Sequence, residues 1–296
     1  MPETRPPLTL QTLLAANPNM RTLRNGELQS PLVNFVFADV KTVNKAFKAL
    51  VREQKFDLGE LAVVTFLQAK AYGKPYVLMP AVVVARGQHH TIFFNPERGH
   101  LNPGDLNGRR VGVRAYTQTT GAWVRGFLQE DYGVDFRSIQ WITFEDPHVA
   151  ECTDPPWVQR ATEGKQLLQM VLDGEIDAAI FGSENPEGTL LQPLIPDAAE
   201  AAARWAEKHG GVPINHMMVI KISITQARPD VVREVYRMLK ESAASGPSKG
   251  TGTLRFGVEA VRQSLETIIQ YSERQGLMPR RFSVDELFND VTRALD

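Results

Sequence analysis

Between residues 105 and 209 short runs rich in β-branched side chains alternate with segments whose apolar residues recur at helical spacing. Residues 110–113 (RVGV), 139–144 and 176–181 (IDAAIF) read as strands, and residues 119–132, 164–173 and the Ala-rich 197–209 read as helices. Strands separated in this way pair through crossovers, so the block predicts a parallel or mixed sheet covered by helices. The same kinds of element flank it. Residues 8–10 and 32–37 read as strands, 43–53 and 61–72 as helices, and 76–84 and 91–94 as buried strands. The stretch 95–104 (NPERGHLNPG) is dense in turn residues and reads as a boundary. After Pro213 come a strand over 217–224, a helix over 229–245 with Pro229 and Asp230 in its first turn, and two further helices over 258–275 and 284–295. The expected fold class is α/β with two lobes: residues 1–102 and 216–296 form lobe 1, and residues 103–215 form an inserted lobe 2. A cleft between lobes is where small ligands bind.

Composition narrows the function. The chain has 296 residues, room for two domains of ordinary size. Its 33 Lys and Arg against 34 Asp and Glu lack the basic excess needed to hold nucleic acid. No run approaches the roughly 20 apolar residues of a membrane span. Residues 1–30 hold neither a basic segment nor an apolar core of secretory type, so a cytoplasmic location is expected. The single cysteine, Cys152, excludes an internal disulfide and a Cys-rich zinc site. A homo-oligomer is compatible with the sequence, which specifies no stoichiometry.

Several segments together resemble the 4,5-dihydroxyphthalate decarboxylase-like family. Residues 20–26 (MRTLRNG) resemble its loop after the first strand, 56–61 (FDLGEL) its F-D-v-x-E turn, and 88–92 (QHHTI) its R-H-S-x-I segment. Residues 105–113 (DLNGRRVGV), 123–129 (WVRGFLQ), 173–178 (DGEIDA) and 213–216 (PINH) are similar to further family motifs, so the likeness runs from about residue 8 to 245. Gln88 stands where the family often has Arg. The resemblance implies a periplasmic-binding-protein type II fold and decarboxylation of a hydroxylated aromatic acid of phthalate type in aromatic catabolism. A solute-binding protein for a small organic anion, of the kind that serves ABC transporters, is the alternative on the same fold.

Removing CO2 from a phenolic acid requires a proton delivered to the ring carbon that bears the carboxylate, an anchor for the anion and a partner for the phenol. Histidine titrates near neutrality and suits the proton step. His89, the residue that falls on the family's histidine, His216 at the return to lobe 1, and His148 after a lobe 2 strand are the candidate catalytic residues. Arg114, Tyr116, Thr117, Thr119 and Thr120 join a strand to a helix N-terminus and form the candidate carboxylate site. Arg21 can approach the substrate from the other lobe, Thr65 falls at a helix start in a family position, and Glu184 follows a strand at its carboxyl end. No cofactor is expected. A divalent metal would have to use the histidines with Glu145, Asp146 or Glu151, and no His-x-x-x-His or His-x-His spacing supports one. The expected partner is a small aromatic carboxylate, with no nucleic acid and no membrane.

Overall fold

The computed structural model describes residues 6–182, 186–247 and 254–296. The first stretch of chain forms β1 (Leu8–Leu13), α1 (Arg21–Arg24), β2 (Val33–Phe37), α2 (Phe47–Val51), β3 (Leu58–Ala62), α3 (Val63–Ala71) and β4 (Tyr76–Ala85). There follow β5 (Ile92–Phe94), β6 (Arg110–Val113), α4 (Thr119–Tyr132), β7 (Gln140–Thr143), β8 (Val158–Arg160), α5 (Leu167–Leu172), β9 (Ala178–Ile180), β10 (Gln192–Pro193) and α6 (Ala198–His209). The chain ends with β11 (Ile214–Lys221), α7 (Ile222–Ala227), α8 (Pro229–Ser245), α9 (Val258–Arg274) and α10 (Asp290–Arg293).

Two sheets result. The first has the order β2-β1-β3-β11-β4, with β1 parallel to β2 and β3 and with β11 antiparallel to both of its neighbours. The second has the order β10-β5-β9-β6-β7-β8, parallel from β9 to β8 and antiparallel at β5 and β10. Two α/β units with a strand returning antiparallel into the first sheet give the expected two-lobe fold. The chain leaves the first sheet after β4 and re-enters it at β11.

The structure departs from the sequence reading at several places, among them the end of the strand read over 217–224, where Ile222–Ala227 is helical. Residues 58–62 are a central strand rather than a turn and a helix start, and all five are buried between β1 and β11. Ile92–Phe94 pairs with Ala178–Ile180 in the second sheet, so the change of sheet comes before the turn-rich 95–104 that suggested a boundary at residue 102. Residues 43–53 split into a 3-10 turn, Val43–Ala46, and the short α2. Residues 284–295 give a 3-10 turn, Asp285–Leu287, and α10, separated by extended Phe288.

Close backbone approach fixes the layers that carry the site. A Cβ on Gly59 would lie 2.3 Å from a Leu50 methyl, so the absence of a side chain lets α2 lie directly on β3. On the other side of the molecule, α9 packs on α4 and α6 of the second unit and also on α3 and β4 of the first. It reaches α4 at Gly126, where a Cβ would stand 2.0 Å from the Tyr271 ring. That ring is buried and held by a 2.6 Å hydrogen bond to Glu130. Gly126→Ala is therefore expected to lower stability by about 3 kcal/mol through overpacking. Denaturant unfolding checks this, and an unchanged midpoint would show that Tyr271 can yield.

Candidate active site

The best-defined group of titratable side chains lies where β3, β11 and α2 meet. Met218 is opposite Glu60 in the antiparallel register and His216 is opposite Ala62, so Glu60 and His216 are diagonal neighbours on one face of the sheet. Glu60 is fully buried in the otherwise apolar strand LGELA. A carboxylate there requires partners, and it has two. Its Oε2 accepts the Ala15 N–H at 2.9 Å, and its Oε1 lies 2.6 Å from Nδ1 of His216. Because a carboxylate only accepts, Nδ1 carries the hydrogen, and Nε2 is the atom left to exchange a proton. No protein group among the described residues bonds Nε2, and a fifth of the His216 side chain is exposed.

A second imidazole stands beside this pair. The rings of His148 and His216 both meet Phe47 of α2 in near-perpendicular contacts, with ring centroids 5.3 and 5.4 Å away. Nδ1 of His148 is 3.0 Å from the hydroxyl of Thr65, which is buried in the first turn of α3. Arg52, at the end of α2, donates to the carbonyls of Pro147 and His148, both at 2.7 Å, and so fixes the loop that carries the ring. Burial, then the positive charges of Arg114, Lys48 and Arg52, push His148 down to about 3. At neutral pH His148 is therefore an uncharged hydrogen-bonding group. The two rings are held differently: His216 is hydrogen-bonded to a buried carboxylate, and His148 is kept neutral by its burial and the cations around it.

The start of α4 closes the group from the second unit. Thr119 accepts the Val64 N–H at 3.2 Å, joining the N-terminal turns of α3 and α4. Thr120 accepts from Asn215 at 3.2 Å, and Asn215 in turn accepts from Gln88 between the two crossing strands. In both cases the threonine oxygen accepts and its hydroxyl hydrogen is left to donate. The Gln118 side chain makes no capping bond, so first-turn N–H groups of α4 stay uncapped.

No family model matches the chain. It is 29% identical to a 4,5-dihydroxyphthalate decarboxylase of Comamonas testosteroni over 313 residues, covering 92% of this chain and 94% of that protein. It is also 29% identical to a protein of the same name from Pseudomonas putida over 201 residues, 63% of this chain and 76% of that one. The chain is thus similar over most of its length to proteins named 4,5-dihydroxyphthalate decarboxylase. Among solved structures, the alkanesulfonate-binding protein SsuA of Xanthomonas axonopodis pv. citri superposes with a TM-score of 0.58 at 13% identity, over 96% of this chain and 99% of that one. That likeness establishes the periplasmic-binding-protein type of fold.

Of the residues singled out in the sequence, the structure brings together His216, His148, Thr65, Thr119 and Thr120. It does not bring His89 to them. His89 lies in a 3-10 turn against α4 and α6, stacked on Phe127 at 4.1 Å, with both ring nitrogens unpartnered among the described residues. Tyr116 is entirely buried; its hydroxyl accepts from Trp157 and its ring lies under the Arg125 guanidinium. Arg114 is tied to Glu145 at 2.6 Å, and Thr117 is buried in the loop between them and α4. Arg21 is exposed at the start of α1, a helix held to α8 by a Thr22–Ser242 bond. Glu184 lies outside the described residues. Among the described residues no three His, Cys, Asp or Glu side chains are grouped to hold a metal ion.

Glu60 is the residue that sequence reasoning passed over, although it belongs to the FDLGEL segment. A signal was present: it is the only charged residue in 58–69, a run that is otherwise apolar or uncharged. No helix among the described residues is long and apolar enough to cross a membrane.

Proposed function

We propose that this chain is a carboxy-lyase that removes one carboxylate from a hydroxylated aromatic diacid of phthalate type, by protonating the ring carbon. The Glu60–His216 pair carries the reading. A hydroxyl para to the reacting carbon releases electron density into the ring as Nε2 of the His216 imidazolium delivers its proton to that carbon. The C–C bond to the carboxylate then breaks, CO2 leaves, and its bonding electrons restore the aromatic ring. The phenol recovers the proton it shared, and one proton taken up from water returns His216 to its cation. Glu60 stabilises that cation and holds the ring in one orientation. Neutral His148, fixed by Thr65, is suited to accept from or donate to a phenolic oxygen. The hydroxyls of Thr119 and Thr120, with the open first turn of α4, supply donors for an anion.

The names of the two curated relatives support the same reaction class. A protein that only captures a solute needs donors for the anion but no acid aligned by a buried carboxylate, which favours catalysis over the solute-binding alternative. The test is incubation of the purified protein with 4,5-dihydroxyphthalate, other hydroxylated phthalates and hydroxybenzoates, followed by measurement of CO2. Release from a hydroxylated phthalate is expected. Saturable binding across the panel without any CO2 would establish the carrier reading instead.

A further inference from the structure

A substrate with two neighbouring carboxylates loses one and keeps the other, and the retained group needs its own anchor. We propose that Lys48 is that anchor, a substrate-binding residue at the outer edge of the site. The inference rests on the aromatic-diacid reading above. Lys48 follows Phe47, whose ring touches both imidazoles, and precedes by one helical turn Arg52, which bonds the His148 carbonyl. It lines an open depression of about 650 Å³ together with Phe144, Glu145, Asp146, Arg160 and the exposed Glu163.

The other charges around this depression are largely committed. Glu145 pairs with Arg114 at 2.6 Å, Asp146 with Arg160 at 2.7 Å, and Lys165 with Glu175 at 2.6 Å. The guanidinium of Arg52 is occupied by the Pro147 and His148 carbonyls. Lys48 forms no ion pair among the described residues, and its positive charge is felt at His148. An unpaired ammonium on a flexible stem, one residue from the ring that touches both imidazoles, is placed to meet a carboxylate ortho to the reacting carbon.

Calorimetric titration with phthalate and with benzoate tests this. Phthalate carries both carboxylates but lacks the hydroxyl that drives reaction, so binding is read without turnover. Lys48→Met is expected to weaken phthalate at least tenfold and benzoate less than threefold, and Lys48→Arg is expected to restore phthalate binding to within about threefold of the parent. Equal weakening of both ligands, no weakening of either, or no phthalate binding by the parent protein overturns the assignment. Failure of the parent to release CO2 from any hydroxylated phthalate overturns the decarboxylase reading and leaves the binding result to stand or fall separately.

Discussion

Replacing His216 by alanine is expected to abolish CO2 release while leaving affinity for the substrate within about tenfold of the parent. An acid that transfers its proton in the transition state contributes little to the ground-state complex, so kcat should fall by about 10³-fold with KM nearly unchanged. Glu60→Gln makes the companion test. It preserves shape and the bond from Ala15 but removes the charge that stabilises the imidazolium, and kcat should fall by about 10²-fold. Parallel loss of binding and turnover in His216→Ala would place His216 among binding or structural residues. An unchanged kcat in Glu60→Gln would mean that the 2.6 Å contact does not govern the proton transfer.

The second large effect is a loss of stability in mild acid. Burial pushes His89 down to about 4 and His148 down to about 3, from an ordinary value of 6.5. Both rings are buried, so below pH 6.5 the unfolded chain binds protons at these positions that the folded chain excludes. Stability is therefore fully present above pH 6.5 and declines as pH falls, until the folded-state values are reached. Down to pH 5 each histidine contributes about 2 kcal/mol to that decline. Denaturant midpoints measured at pH 7.5 and pH 5 should differ accordingly. His89→Phe retains an aromatic ring to stack on Phe127 and removes two unpartnered nitrogens, so it should be at least as stable as the parent at pH 7.5 and lose less at pH 5. Equal acid sensitivity in the parent and in this variant would show that His89 does not titrate in the way its burial demands.

The architecture was legible because strand–helix alternation and turn-rich breaks leave a strong record in sequence. What escaped were features decided by partners far away in the chain. Ile92-Phe93-Phe94 looks the same whichever sheet it joins, and only pairing with Ala178–Ile180 assigns it to the second. Leu58–Ala62 is too short and too uniformly apolar around Glu60 for periodicity to separate strand from helix. The site was half visible. His216, His148 and Thr65 were recognisable as chemistry-bearing residues, yet nothing local states that Phe47 will touch both imidazoles or that Glu60 will lie diagonally across from His216. His89 gave the opposite result: a histidine at a family position whose environment, an aromatic stack without polar partners, was set by α4 and α6.

The helix Val258–Arg274 has a wider consequence. Because it packs on α4 and α6 as well as on α3 and β4, its apolar side chains lie in a core cluster that runs through both sheet-bearing halves. Expressing the outer segments without the inserted one strips one flank of this helix and exposes Tyr271, which packs on Gly126 and Trp123 of α4. A rod gripped by both halves is expected to couple their unfolding and to serve as the pivot when their faces part to admit a substrate.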